Sequence, residues 1–304
     1  MFKKVNIVSS VIFLITLVLL IPAEGISATI TVDCSAASLQ AAINAAASGT
    51  IINVSGTCNE NISISQSKNL ITINGGGTAT INGVDVSKHS IDIKGRGIVI
   101  KRLHITGGYD GIQITRGGTA TIDTNTIENA AHNGISVAQS GHADIVGNTI
   151  QNNVNSGIVV NDSASVHIGF VTFQDTTAKA NTIQKNGHNG IVVQRSSSAA
   201  IVGNRILTNT NNGIVVKNVS HAAISKNTIN GNTGDGIHVE GNSGVDLGNF
   251  TGSTIFDLPN STTVKNGQYG GSCVFGGYVA GRLGTLNGAS GPATADDSCL
   301  ANLQ

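Results

Sequence analysis

The sequence predicts an all-β protein: a single-stranded right-handed parallel β-helix with an N-terminal capping helix and an irregular C-terminal cap. Three observations carry this. A Gly-Ile pair recurs at Gly111, Gly134, Gly157, Gly190, Gly213 and Gly236, with steps of 23, 23, 33, 23 and 23 residues. An Asn-x-Ile ladder keeps the same step through Asn125, Asn148, Asn181, Asn204 and Asn227. Columns aligned on the glycine alternate with period two, as inward and outward residues of short strands do. Self-similarity at a fixed interval of this size signals a solenoid.

The elements follow in order. Lys3 and Lys4 precede an apolar run from Val11 to Ile21, and then come Pro22 and small residues through Ala28. That is the layout of a secretory signal over residues 1–28. The run is too short for a comfortable membrane span. A secreted or periplasmic protein is expected, without membrane contact once the signal is cleaved. Ser38 to Ala47 reads as a short amphipathic helix with Leu39, Ala42, Ile43 and Ala46 on one face. Laid over the first turn, it covers the exposed end of the solenoid.

Less regular turns follow, at Ile62-Ser-Ile64, Ile71-Thr-Ile73, Ile91-Asp-Ile93 and Ile98-Val-Ile100. The regular turns then give three inward rows. One begins at the Gly-Ile isoleucines and continues two residues on, at Ile114, Val137, Val160, Val193, Val216 and Val239. The second holds Ile122, Ile145, Ile168, Ile201, Ile224 and Leu247, and the third is the isoleucine of the asparagine ladder. Asparagine tolerates the left-handed backbone region and can bond across stacked turns. The glycines mark corners that need positive φ or close approach. The β-helix with its N-terminal cap is expected over 29–250, and a C-terminal cap over 251–304.

Cys34, Cys58, Cys273 and Cys299 sit as one pair near each end. In an oxidising compartment the short-loop pairs Cys34–Cys58 and Cys273–Cys299 are the natural choice among three connectivities. No Cys-x-x-Cys is present, so no metal ligands are assigned among them. Removing Lys3, Lys4 and Glu24 with the signal leaves 15 basic and 16 acidic residues. So neutral a chain argues against nucleic acid and anionic membranes, which need clustered Lys and Arg. Tryptophan is absent and only three tyrosines are present, so broad aromatic stacking platforms for sugars are not expected.

The helix-then-strand opening SLQAAINAAASGTIINVSGTC (38–58), followed by the Asn-Gly-Ile and Asn-Thr-Ile turns, resembles the pectin-lyase-like right-handed β-helix proteins. The resemblance covers nearly all of the mature chain and is specific for fold. That superfamily includes pectate lyases, polygalacturonases, alginate epimerases and lyases, phage tailspikes and adhesins. It implies a polysaccharide or cell-surface glycan as partner and leaves any cofactor open.

The polygalacturonase acids would fall on the residue before the ladder glycine, here Asp110, Asn133, Ser156, Asn189, Asn212 and Asp235. Its two aspartates are five turns apart, roughly 24 Å at about 4.8 Å per turn, too far to share one glycosidic bond. Val215 also replaces the arginine of that family's terminal motif. Arg116 and Arg195 share a column but lack the acidic cluster a pectate-lyase calcium site needs.

Two outward constellations remain. Val159, Val192 and Val215 form an apolar stripe bordered by Asn161, Gln194, Lys217, His238 and Glu240, a candidate groove for an extended ligand. On the next strand His142 and Asp144 face outward together, and His167 stands one turn up in the Asp144 column. The single ten-residue insertion, about Phe170 to Lys179, follows at once. Insertions in repeat proteins usually build a binding face. The three side chains are the candidate catalytic group, a base oriented by a carboxylate. They are also of ligand type for a metal. His132 and His188 read as corner residues. The expected function is binding, with lyase- or epimerase-like modification, of an extended polysaccharide; the alternative is a non-catalytic structural or adhesive surface protein.

Overall fold

A computed structural model describes residues 27–248 and 255–303. The signal segment through residue 26 lies outside the described residues, as does the boundary expected at 250. No helix among the described residues is long and apolar enough to cross a membrane.

The chain is a right-handed parallel β-helix whose turns stack into sheets of twelve, ten and eight strands. Ladder glycine pairs lead into the ten-stranded sheet, where Ile112, Ile135, Ile158, Ile191, Ile214 and Ile237 stand in register. All three predicted inward rows are buried in one continuous core. The helix Leu39–Ala45 begins at Ser38, whose side chain accepts from the Ala41 N–H, and it buries Leu39 and Ile43 over the first turn. Burying two such side chains contributes about 1.5–3 kcal/mol each.

The asparagine ladder is a buried hydrogen-bond column at one corner. Asn125 N–H donates to Asn148 Oδ1 (2.8 Å), Asn148 N–H to Asn181 Oδ1 (2.9 Å) and Asn181 N–H to Asn204 Oδ1 (3.1 Å). At four of the five ladder positions the left-handed residue is not the asparagine itself but the one before it: Thr124 (φ 57°), Gly147 (67°), Gly203 (73°) and Lys226 (58°). Ala180, before Asn181 at the end of the insertion, is the exception. A second column, five residues on, runs from Asn153 through Asn186, Asn209 and Asn232 to Asn266. The ladder glycines act by close approach. A Cβ on Gly134 would meet Ile150 Cγ2 at 2.6 Å and the Gly157 carbonyl oxygen at 2.7 Å.

The expected pairs Cys34–Cys58 and Cys273–Cys299 both form, with Cα atoms 4.9 and 5.9 Å apart. The C-terminal segment differs from an irregular cap in one respect. Strands Tyr269–Cys273 and Gly291–Ala295 extend the ten-stranded sheet, while Tyr278–Gly281 and Leu300–Leu303 extend the twelve-stranded one. The coil therefore continues after its sequence signature stops. Parallel pairing needs only extended backbone in register, and a Gly-rich segment supplies that without the Gly-Ile pair.

Candidate functional site

The outward row of the ten-stranded sheet brings Val159, Val192 and Val215 directly over one another. They pack into a small apolar cluster of their own, 4–7% exposed. Over Val159 and Val192 opens a cleft of about 420 Å³, whose wall also holds Asn161, Gln194 and Lys217. Its other wall is the corner preceding the sheet, with Tyr109, Asp110, His132, Asn155 and His188. The cleft crosses the turns of Gly111, Gly134, Gly157, Gly190 and Gly213, about 20 Å along the axis at about 4.8 Å per turn.

The corner wall was not legible as a site. Asp110 belongs to the residue-before-glycine column, which forms a further backbone ladder: Asn133 N–H donates to Asp110 Oδ1 (2.9 Å) and Ser156 N–H to Asn133 Oδ1 (3.2 Å). Asp110 is 2% exposed and lies between two imidazoles. Its oxygens are 2.9 Å from His132 Nδ1 and 3.2 Å from His89 Nδ1. Burial raises the Asp110 pKa, but the bonds from His89, Asn133 and His132 outweigh it and hold the carboxyl below its ordinary value. Tyr109 stacks on His132 with ring centroids 4.6 Å apart. At the other end, burial and the Lys217 charge push His188 below the ordinary histidine value, which favours its neutral form. His132 and His188 share the column two residues before the glycine, with Asn155 between them. The two histidines, read from the sequence as corner residues, line this wall together with Asn155.

The predicted binding residues Val215, His238 and Glu240 are not in the cleft lining. Glu240 Oε1 lies 4.0 Å from Lys217 Nζ. His238 Nδ1 is 2.7 Å from Ser272 Oγ and 3.2 Å from Asp235 Oδ2, and its Nε2 is 3.6 Å from Glu240 Oε2. The Asp235 bond raises the His238 pKa against the opposing effect of burial. Asp110 and Asp235 thus serve separate local networks.

His142, Asp144 and His167 do come together, but on the outer face of the twelve-stranded sheet, a different face from the cleft. Asp144 Oδ1 is 2.9 Å from His167 Nδ1 and 3.4 Å from His142 Nε2. His142 Nδ1 is 2.8 Å from Ser165 Oγ. Burial raises the Asp144 pKa, and the hydrogen bonds from His142 and His167 overcome this, leaving it below the ordinary carboxylate value. The insertion leans onto the group: His167 Nδ1 lies 3.2 Å from the Val171 carbonyl, and its ring lies 4.7 Å from Phe170 and 5.2 Å from Phe173. Phe170 is fully buried against Ala200, Val202, Ile255 and Phe256. Asp175 accepts from the Val171 and Thr172 N–H groups, and Lys179 bonds Asp123, so both ends of the loop are tied down.

Solved structures confirm the architecture. The pectate lyase Pel9A matches with TM-score 0.61 at 15% identity, over 90% of this chain and 80% of that one. The periplasmic alginate epimerase AlgG matches with TM-score 0.53 at 13% identity, over 91% of this chain and 77% of that one. At these identities the likeness is one of fold. No curated protein matches the chain. A family model covers residues 24–245, and the chain accordingly belongs to the NosD family, described as periplasmic copper-binding proteins.

Proposed function

We propose that this is a periplasmic glycan-binding protein that holds an extended polysaccharide in the cleft of the ten-stranded sheet. The observation that carries this is the cleft itself, a trough across five stacked turns with a valine floor and hydrogen-bonding walls. A polymer laid along the axis meets a repeated set of donors about every 4.8 Å. The stacked Tyr109–His132 pair offers an aromatic face at one end, and Lys217 and Arg195 place positive charge at the other. The only carboxylate in the wall, Asp110, is buried and bonded, so the exposed lining favours an acidic sugar chain. Pectate lyase and alginate epimerase, the fold neighbours, act on polymers of that kind by their names, which supports the reading by analogy.

His132 is a base this cleft offers. Its Nδ1 lies 2.9 Å from Asp110 Oδ1 and 2.7 Å from Asn133 Nδ2, and its Nε2 lies 3.1 Å from Asn155 Nδ2. Lyase- or epimerase-like modification at Nε2 would therefore require the substrate to displace Asn155. His142, Asp144 and His167 face elsewhere and do not reach a chain bound here. Binding of a panel of acidic and neutral polysaccharides, followed by calorimetry and by detection of unsaturated or shortened products, tests the proposal. Acidic polymers should bind, and Tyr109→Ala and Lys217→Ala should each weaken binding about tenfold, or about 1.4 kcal/mol. No binding across the panel, or binding indifferent to both variants, would favour the structural or adhesive role.

The family description names copper. Among the described residues every cysteine is in a disulfide and no methionine is present, so a sulfur-ligated cuprous site does not fit. Imidazole and carboxylate donors do fit a divalent ion, and the described residues bring them together on the other face.

A further inference from the structure

We propose that His142, Asp144 and His167 bind one divalent transition-metal ion of the imidazole-preferring class, zinc or copper(II), on the outer face of the twelve-stranded sheet. The proposal is independent of the glycan cleft, which lies on another sheet.

The ligand spacing is the first argument. One atom from each of the three side chains falls in a single group within 4.8 Å. Along the shared oxygen, Asp144 Oδ1, the separations to the two imidazole nitrogens are 2.9 and 3.4 Å. Ligands held at about 2.0–2.1 Å from one ion stand about 2.9–3.4 Å apart, from octahedral to tetrahedral angles. The observed separations already match those between ligands of one ion. A metal ion bound between them displaces any proton held there, so binding releases protons.

The second argument is the support around the ligands. Strand register fixes Asp144 beside His167 and His142 beside Ser165. Ser165 Oγ holds the free nitrogen of His142 at 2.8 Å, the outer-shell contact that orients a metal-bound imidazole. Phe170 and Phe173 close on the His167 ring, and the Val171 carbonyl adds an oxygen 3.2 Å from its Nδ1. Neighbouring turns carry no such donors: Thr121 precedes Asp144 in the column and Ala200 follows His167. The donor set therefore occurs where the solenoid departs from its repeat, under the loop that the departure creates.

Calorimetric titration of chelator-treated protein with zinc and copper(II), with magnesium and calcium as oxygen-preferring controls, tests this. One zinc or copper ion should bind per chain, with neither control ion competing. His142→Gln and His167→Gln should each lower affinity by about 100-fold, and Ser165→Ala by about tenfold. The copper(II) electron paramagnetic resonance spectrum should show two nitrogen donors, falling to one in His142→Gln. Circular dichroism melts without metal identify variants that fail to fold; His142, whose side chain is 36% exposed against 23% for His167, is the variant to rely on in that case. Absence of stoichiometric binding, or an unchanged affinity and spectrum in folded His142→Gln, would overturn the site.

Discussion

The outer faces of the two largest sheets are built by opposite means. The ten-stranded sheet pairs strand on strand across the 33-residue step, and its face is a trough whose floor, Val159 and Val192, lies in register on adjacent turns. The twelve-stranded sheet also pairs without a break, but after its strand Ser165–Ile168 the chain leaves for the insertion, and that loop folds back over His142, Asp144 and His167. A second 33-residue step, expected by no reading of the Gly-Ile ladder, separates Asn227 from Asn260. Repetition makes a surface suited to a long, repetitive ligand. An interruption makes a point site. The same solenoid can carry both because strand pairing on each face needs only the backbone, which leaves outward side chains free.

The largest expected effect tests whether the two faces share a support. Asn181 follows the insertion, and its Oδ1 accepts from Asn148 N–H and Nδ2, both at 2.9 Å. Its own Nδ2 donates to the Ile145 carbonyl at 2.7 Å and to Asn204 Oδ1 at 2.8 Å. Asn181→Ala leaves several buried groups unpaired and should cost about 4 kcal/mol in urea unfolding, at about 1–3 kcal/mol per orphaned group. A loss below about 1 kcal/mol would mean the ladder does not carry register across the insertion.

Next comes Phe170→Ala, expected to cost about 3 kcal/mol, the low end for a buried phenylalanine because the cluster lies outside the main core. It should also weaken metal binding while leaving glycan affinity within twofold. Loss of glycan binding in this variant would break the separation of the faces.

The smallest effect is a pH dependence at the end of the ten-stranded sheet. The folded-state pKa of His238 lies above its ordinary 6.5. Its stabilisation is therefore complete below that value and fades as pH rises through the folded pKa. Urea midpoints measured across the neutral range should fall on the alkaline side, and His238→Gln should flatten this slope. Asp235 works in the opposite sense, with stability present above 3.8 and lost as pH falls through its lowered value.

Some of the site was written in the columns. The Asp144–His167 adjacency follows from counting along the repeat, and so does the valine floor. The cleft's second wall was missed because its residues sit at a corner, where sequence alternation does not say which way a side chain turns. His132 and Tyr109 become partners only when the corner brings the Asp110 carboxylate between His89 and His132.

By itself the sequence determined the inward rows, the capping helix and the 33-residue step after His167. These are local signals: period-two alternation, a helical face and a count between glycines. It favoured the two disulfide pairs among three connectivities, and it missed the second 33-residue step, from Asn227 to Asn260. Only the tertiary structure decided that the predicted binding and catalytic residues occupy different faces, that the insertion leans over His167, and that the last turns continue without the repeat. Those outcomes depend on which backbone lies beside which. Strand pairing sets that through hydrogen bonds that every residue type can make.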